Sequence, residues 1–293
     1  MLAVDVIDRL SQKFLALVEE KGIEYHAGII TNGYFLTKEN VEILKKGKVS
    51  RIQATLDGMG ETHDKTRHLI GGGGTFHRIT ENLYNIDESF RVIVRHNVHQ
   101  GNMEEGKKLS AFVEDVAKKT GGKLLYAPAP VTGNDASDER DDNVGLICAV
   151  DEGKILAEKE AMLFRRGGGN YCLASSLFNV GIDAKGNLQK CWEDADKVEH
   201  SFGTVEEWNP MDPFYTAKNL DYLTMYLDTL FPHDEECMEC VWLPMCKGGC
   251  PNKRLFRERA CVPYKENPEA YVLALLDRMR KEKHEKTDTV GNI

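Results

Sequence analysis

Apolar positions in the first half of the chain alternate between two periods. Ile7, Leu10, Phe14, Leu17 and Val18 recur at helical spacing between Asp5, a candidate N-cap, and Gly22, a stop. Tyr25 to Ile30 is a short apolar run of strand type, closed by Thr31-Asn32-Gly33. Thr37 can cap a helix with Val41 and Leu44 inward, ending at Gly47, and Ser50 to Leu56 is the next strand, ending at Asp57-Gly58. After the Gly71 to Gly74 run, a helix over about 76–86 buries Ile79, Leu83 and Ile86, and Phe90 to Val98 is a third strand. Asn102 is placed to cap a helix with Leu109, Phe112, Val113 and Val116 on one face, and Lys123 to Ala127 supplies a fourth strand. Strands separated by helical crossovers imply a parallel α/β sheet. Asn32, Thr55 to Asp57 and Arg95 to Asn97 follow the strands directly, at the end where such sheets bind ligands. Turn chemistry alone also puts Asn-Gly and Asp-Gly there.

The pattern then breaks. Thr132 to Asp142 is polar and acidic, as a surface linker would be, a helix is expected over 151–165, and Gly167-Gly168-Gly169 marks a boundary. The expected division is therefore 1–165 and 166–293. Beyond it, Phe178 to Asp183 and Asn187 to Trp192 suggest a hairpin around Asp183-Ala184-Lys185-Gly186. A helix over 219–231 delivers the chain into its most unusual stretch, and a last helix from Asn267 precedes a tail over 281–293.

That stretch is C-M-E-C-V-W-L-P-M-C-K-G-G-C from Cys237 to Cys250, a C-x2-C-x5-C-x3-C pattern that apolar packing does not demand. A C-x2-C pair puts two thiolates within reach of one metal site. Cys172, Cys191 and Cys261 flank the cluster, making seven candidate ligands, whereas Cys148 lies in the apolar run 144–150 and reads as core. A net charge of -9 and the absence of a basic run interleaved with aromatics argue against a nucleic-acid partner. Neither a secretory apolar region nor a run long enough to span a membrane is present. The expected setting is cytoplasmic, where clustered thiols favour metals over disulfides. Seven cysteines can be two zinc sites completed by a histidine, with His200 and His233 nearest, or iron–sulfur clusters.

The order Cys172, Gly186, Cys191, the 237–250 run and Cys261 resembles the seven-cysteine motif of SPASM domains. The likeness is sharpest at G-N-L-Q-K-C-W-E-D (Gly186 to Asp194) and L-P-M-C-K-G-G-C-P (Leu243 to Pro251). The first half is similar to the middle of a radical S-adenosylmethionine (SAM) partial barrel, at I-I-T-N-G (29–33), A-T-L-D-G (54–58), H-D-K-T-R (63–67), G-T-F-H-R-I (74–79) and R-H-N-V (95–98). The resemblance implies an incomplete radical SAM partial (β/α) barrel followed by a cysteine-rich SPASM domain with two auxiliary [4Fe-4S] clusters. Cys172, Cys191 and Cys250 would hold the first, with an open iron, and Cys237, Cys240, Cys246 and Cys261 the second. Thr55, Arg67, Asn32 and Arg95 would contact SAM, Thr55 standing where the family has serine, with the adenine against backbone near Tyr126 to Pro128. For Arg67 a surface ion pair is the competing role.

The family's C-x3-C-x2-C loop and Gly-Gly-Glu-Pro-like segment do not occur in the sequence. The resemblance therefore implies an N-terminally truncated chain, lacking the first two βα units and the SAM-cleaving cluster, and inactive as written. The implied substrate is a ribosomally made peptide or protein, modified for example by a thioether or side-chain crosslink, with a reducing electron donor as partner. Sulfatase maturases carry an aspartate directly after the second SPASM cysteine. Trp192 stands there, leaving Asp194 as a displaced candidate base. A sulfatase-maturase-like enzyme and a non-catalytic iron–sulfur or zinc protein that binds a partner are the alternatives.

Overall fold

The structure is a computed structural model that describes residues 3–99, 101–131, 172–228, 235–246 and 248–256, with Cys261, Lys265, Glu269, Leu273 and Leu276 beyond them. The chain divides into two compact units, Met1–Leu156 and Ala157–Ile293. The acidic linker, Cys148, the helix expected over 151–165, the triple glycine, His233 and the C-terminal tail lie outside the described residues.

In the first unit, β1 (Ala27–Thr31), β2 (Val49–Thr55), β3 (Arg91–Val98) and β4 (Lys123–Pro130) form one sheet in the order β1-β2-β3-β4, every pair parallel. The connections are α1 (Val4–Lys21) before β1, α2 (Lys38–Lys46), then α3 (Glu61–Thr66) and α4 (Phe76–Leu83), and finally α5 (Gly106–Thr120). Side chains alternate across each strand. Ile52, Ala54, Val92, Val94 and Leu124 face the helices and form one core with Val41, Leu44, Ile79, Leu83, Leu109, Val113 and Val116. The opposite face carries Ile30, Gln53, Ile93 and Leu125 in one register row and Thr55, Arg95 and Ala127 in the next. None of these belongs to the helix-side core, and Ile30 is 60% exposed.

Two details differ from the sequence reading. Asp5 does not cap α1; Ala3 occupies that position without a side-chain bond, and Asp5 lies in the first turn, where its charge complements the helix dipole. The face of α1 that turns inward is also rotated. Ser11 is buried, whereas Leu10, Phe14 and Leu17 are about half exposed, because β1 is the edge strand and α1 packs on α2 from one flank. Thr37 does cap α2, accepting the Asn40 N–H at 3.4 Å.

Gly33 explains why the loop after β1 needs its Asn-Gly pair. Its φ is +83°, and a Cβ there would lie 2.9 Å from Ile79 Cγ2. Gly33→Ala is expected to cost at least ~1–2 kcal/mol from the left-handed backbone alone; the guanidinium unfolding midpoint of the full chain measures it.

The second unit contains a small antiparallel sheet of β5 (Gly181–Ile182), β6 (Asn187–Gln189) and β7 (Gly203–Thr204). Its first two strands are the expected hairpin, shortened, and β7 was not anticipated. Helix α6 (Leu220–Asp228) packs Tyr222, Leu223 and Tyr226 with Leu188 and Phe202. Three short helices follow: α7 (Glu235–Met238), α8 (Leu243–Cys246) and α9 (Pro251–Phe256).

Candidate functional site

At the carboxyl ends of the strands, Thr55, which is buried, and Arg95 are register neighbours on the sheet face opposite the helices. Arg95 Nε donates to Asn97 Oδ1 at 2.8 Å, which keeps the guanidinium close to that surface. Asn32 accepts the Tyr34 N–H at 3.1 Å and so shapes its own turn. Arg67 is in an ion pair with Asp57, its side chain 35% exposed. The structure thus brings Thr55 and Arg95 together and gives Asn32 and Arg67 local partners. Tyr126 points to the helix side, with its hydroxyl 2.7 Å from His96 Nδ1, while Ala127 lies beside Arg95.

Asp57 organises this end of the sheet. Its carboxylate accepts the Asn97 N–H at 3.1 Å as well as the Arg67 guanidinium, and its carbonyl accepts from Asn102 Nδ2 at 2.8 Å. Asn102, expected as a helix cap, instead stitches β2 to β3, since it also donates to the Asn97 carbonyl at 2.9 Å. The Asp57 N–H donates to His63 Nδ1 at 3.1 Å, which leaves the proton on Nε2 for Thr75 Oγ1. Thr75 in turn donates to the Arg67 carbonyl. Asp64 accepts the N–H groups of Thr75 at 2.7 Å and Phe76 at 2.9 Å, at the start of α4. His63, Asp64 and Arg67 of the H-D-K-T-R run are thus fasteners of the loop between β2 and α4.

None of the seven cysteines of the second unit is in a disulfide. Burial pushes the Cys191 thiol above its ordinary range, and the neighbouring Asp194, Cys250 and Cys172 push the same way. The Cys240 N–H donates to the Cys237 carbonyl at 3.1 Å and the Leu243 N–H to the Cys240 carbonyl at 2.9 Å, winding the first two cysteines of the run into tight turns. Gly248 and Gly249 both have positive φ, +83° and +80°, a backbone that turns the chain sharply before Cys250 and that side chains would resist. Lys265 Nζ lies 2.9 Å from Glu236 and 3.6 Å from Cys261 Sγ; Glu236 raises its pKa first, with Cys261 and Cys240 adding to it. Among the described residues no three His, Cys, Asp or Glu side chains converge on one point, as a mononuclear site requires. A cluster distributes its thiolates over separate irons, so its ligands need no common focus.

Asp194 is fully buried. Oδ2 accepts from Tyr226 at 2.7 Å, Tyr222 at 2.8 Å and Asn252 at 3.1 Å; Oδ1 accepts from His200 Nδ1 at 2.9 Å. These donors, with the nearby His200, hold its carboxyl below the ordinary range against the opposing effect of burial. Lys190, on the other side of Cys191, is buried as well and donates to the carbonyls of Ser176, Leu177 and Asn179. Burial lowers its pKa to about 8.

No protein-family profile matches the chain. It is 25% identical to Fe-coproporphyrin III synthase of Methanosarcina barkeri, across 88% of this chain and 71% of that protein. Among solved structures it superposes on anSMEcpe with bound AdoMet and the Kp18Cys peptide, at a TM-score of 0.64 and 14% identity, covering 94% of this chain and 82% of that one. It also superposes on Streptococcus suis SuiB bound to S-adenosylmethionine, at a TM-score of 0.52 and 16% identity, over 79% of this chain and 58% of that one. The fold is that of the radical SAM/SPASM proteins.

Within the radical SAM/SPASM fold, the sequence motifs divide by what their residues touch. Cysteine spacing and the residues closing the strands were visible from the chain alone. Lys190 and the double role of Asp57 were not. A buried lysine in G-N-L-Q-K-C cannot be told from a surface one by type, and only its place between Leu188 and Cys191 hints at enclosure.

Proposed function

We propose that this chain forms the SAM-facing strands and the auxiliary-cluster region of a radical SAM oxidoreductase that matures a ribosomally made peptide or protein. Cys172, Cys191 and Cys250 would hold one [4Fe-4S] cluster, and Cys237, Cys240, Cys246 and Cys261 the other. The supporting observation is the division of the thiols. Lys190 and Asn252 tie the segments that follow Cys172 and Cys250 to the residues around Cys191, whereas Lys265 Nζ bridges Cys261 Sγ, at 3.6 Å, to Glu236 beside Cys237, at 2.9 Å. Of the SAM contacts, Thr55 and Arg95 are best placed, side by side at the strand ends on the face opposite the helices, with Arg67 and Asn32 secondary because Arg67 is paired with Asp57 and Asn32 shapes its own turn. SAM would supply the radical once reduced; the sequence holds no C-x3-C-x2-C, so this chain's own cysteines serve the auxiliary role.

The peptide class is supported by anSMEcpe, whose structure contains a peptide. No helix among the described residues is long and apolar enough to cross a membrane, and the proposed setting is the cytoplasm with a soluble reductant. Likeness to Fe-coproporphyrin III synthase favours a second reading, in which the chain forms and holds Fe-coproporphyrin III as its product. Titrating the chain with Fe-coproporphyrin III and following its visible absorption separates the two, since a peptide maturase should leave the spectrum unchanged.

Anaerobic reconstitution with iron and sulfide tests the cluster assignment. The expected result is about eight irons per chain with broad absorption near ~400 nm. Uptake of two zinc ions and no iron would overturn it.

A further inference from the structure

Two charged residues close to Cys191 in sequence are buried, Lys190 at 2% exposure and Asp194 at 0%, whereas Glu193 between them is exposed. Buried charges persist only when their hydrogen-bonding capacity is met. Lys190 meets its own with three backbone carbonyls, those of Ser176, Leu177 at 3.4 Å and Asn179 at 2.6 Å. These carbonyls belong to the segment that leaves Cys172 through the 3-10 turn Leu173–Ser175. Asp194 meets its capacity with two tyrosines of α6, His200, Lys197 at 3.4 Å and Asn252. Asn252 is in the first turn of α9, two residues after Cys250, and also donates to Tyr226 at 2.8 Å. Each side of Cys191 is therefore tied to the segment of a different cysteine.

We propose that Lys190 and Asp194 are positioning residues that hold the Cys172 and Cys250 segments against Cys191, so that the three-cysteine site is shaped before any cluster enters it. The inference rests on the assignment of those three cysteines to one cluster. It also gives Asp194 a different role from that of a base: both oxygens are engaged and enclosed, so no lone pair faces a substrate. A methionine of similar length at 190 leaves these carbonyls without their donor. Asparagine at 194 keeps the shape but turns one acceptor into a donor facing other donors.

The test uses the full chain with Lys190→Met, Asp194→Asn and the control Trp192→Ala, whose side chain is exposed beside Cys191. After anaerobic reconstitution, K190M and D194N are expected to retain about half of the wild-type iron, the retained half giving the resonance spectrum of the cluster left in a Cys172→Ala variant. W192A should retain all of it. A second readout needs no cluster. In the apo chain, amide exchange at Ser175 and Ser176 should accelerate on the order of tenfold in K190M, and in the Pro251–Phe256 helix in D194N, with the β5–β6 amides unchanged. Full iron content in both variants, or loss of both clusters together with helical signal, overturns the proposal. Failure of the wild type to take up iron would instead sink the cluster assignment, leaving the exchange experiment to decide the tether.

Discussion

Replacing Asp57 by alanine is expected to lower the unfolding free energy of the full chain by about 3 kcal/mol, the low end of what breaking a buried ion pair costs. The carboxylate side chain is 8% exposed, and its loss strips the acceptor from the Asn97 N–H at the end of β3 and the counter-charge from Arg67. The low end applies because the Arg67 side chain is 35% exposed and can find water when its partner is gone. Guanidinium unfolding of D57A, R67A and the double variant separates these contributions. A coupling of about 1 kcal/mol between Asp57 and Arg67 is expected, with the rest assigned to Asn97. D57A should also loosen the joint that sets Thr55 beside Arg95 through the lost tie to Asn97 alone, since the bonds to Asn102 and His63 use the backbone of residue 57 and survive the substitution. A loss under about 1 kcal/mol for D57A would mean that the joint is held elsewhere.

The fold was legible because alternation between period-2 and helical stretches is a strong signal, and because crossover helices between strands leave few topologies. Register rows, and hence the neighbourhood of Thr55 and Arg95, follow from that parallel order once it is known. What could not be read is which polar residues turn inward. Asn102 has the chemistry of a helix cap, yet its amide reaches two carbonyls at the strand ends, and a 3-10 turn over Met103–Glu105 precedes α5 instead. The apolar stripe of α1 has the right period but lies beside an edge strand, where one flank has no cover. Asp194 was visible as an acidic residue near a cysteine; its donors are Lys197, His200, Tyr222 and Tyr226 of α6 and Asn252 of α9, the last 58 positions away in sequence. Periodicity records which face of an element is apolar, whereas long-range satisfaction of a buried charge leaves no periodic trace.

Acid should weaken the first unit before ordinary carboxylates titrate. His63 and His96 are both fully buried, and burial is the largest cause lowering each below its ordinary value of 6.5, against the raising effect of Asp57 on both and of Asp64 on His63. For His63 the geometry gives the same direction. Its Nδ1 accepts the Asp57 N–H and its Nε2 already donates to Thr75, so a second proton would set donor against donor. For His96, Tyr126 faces Nδ1 and Nε2 has no hydrogen-bond partner among the described residues, so the doubly protonated ring would keep a buried N–H that none of them receives. The unfolded chain binds these protons as pH falls through 6.5 and the folded chain does not, so stability is present above that pH and declines below it. Each histidine contributes a slope of at most ~1.4 kcal/mol per pH unit, and the pair is expected to remove about 2 kcal/mol between about pH 7 and pH 5.5. Guanidinium midpoints at the two pH values measure the loss, and His96→Gln, which keeps a polar neighbour for Tyr126, should reduce it by about half. Imidazole proton resonances of His63 and His96 that stay unshifted down to about pH 5.5 would report the same withheld protons directly. Resonances that titrate at the ordinary histidine pKa, with equal stability at both pH values, would show that both rings admit the proton in the folded chain.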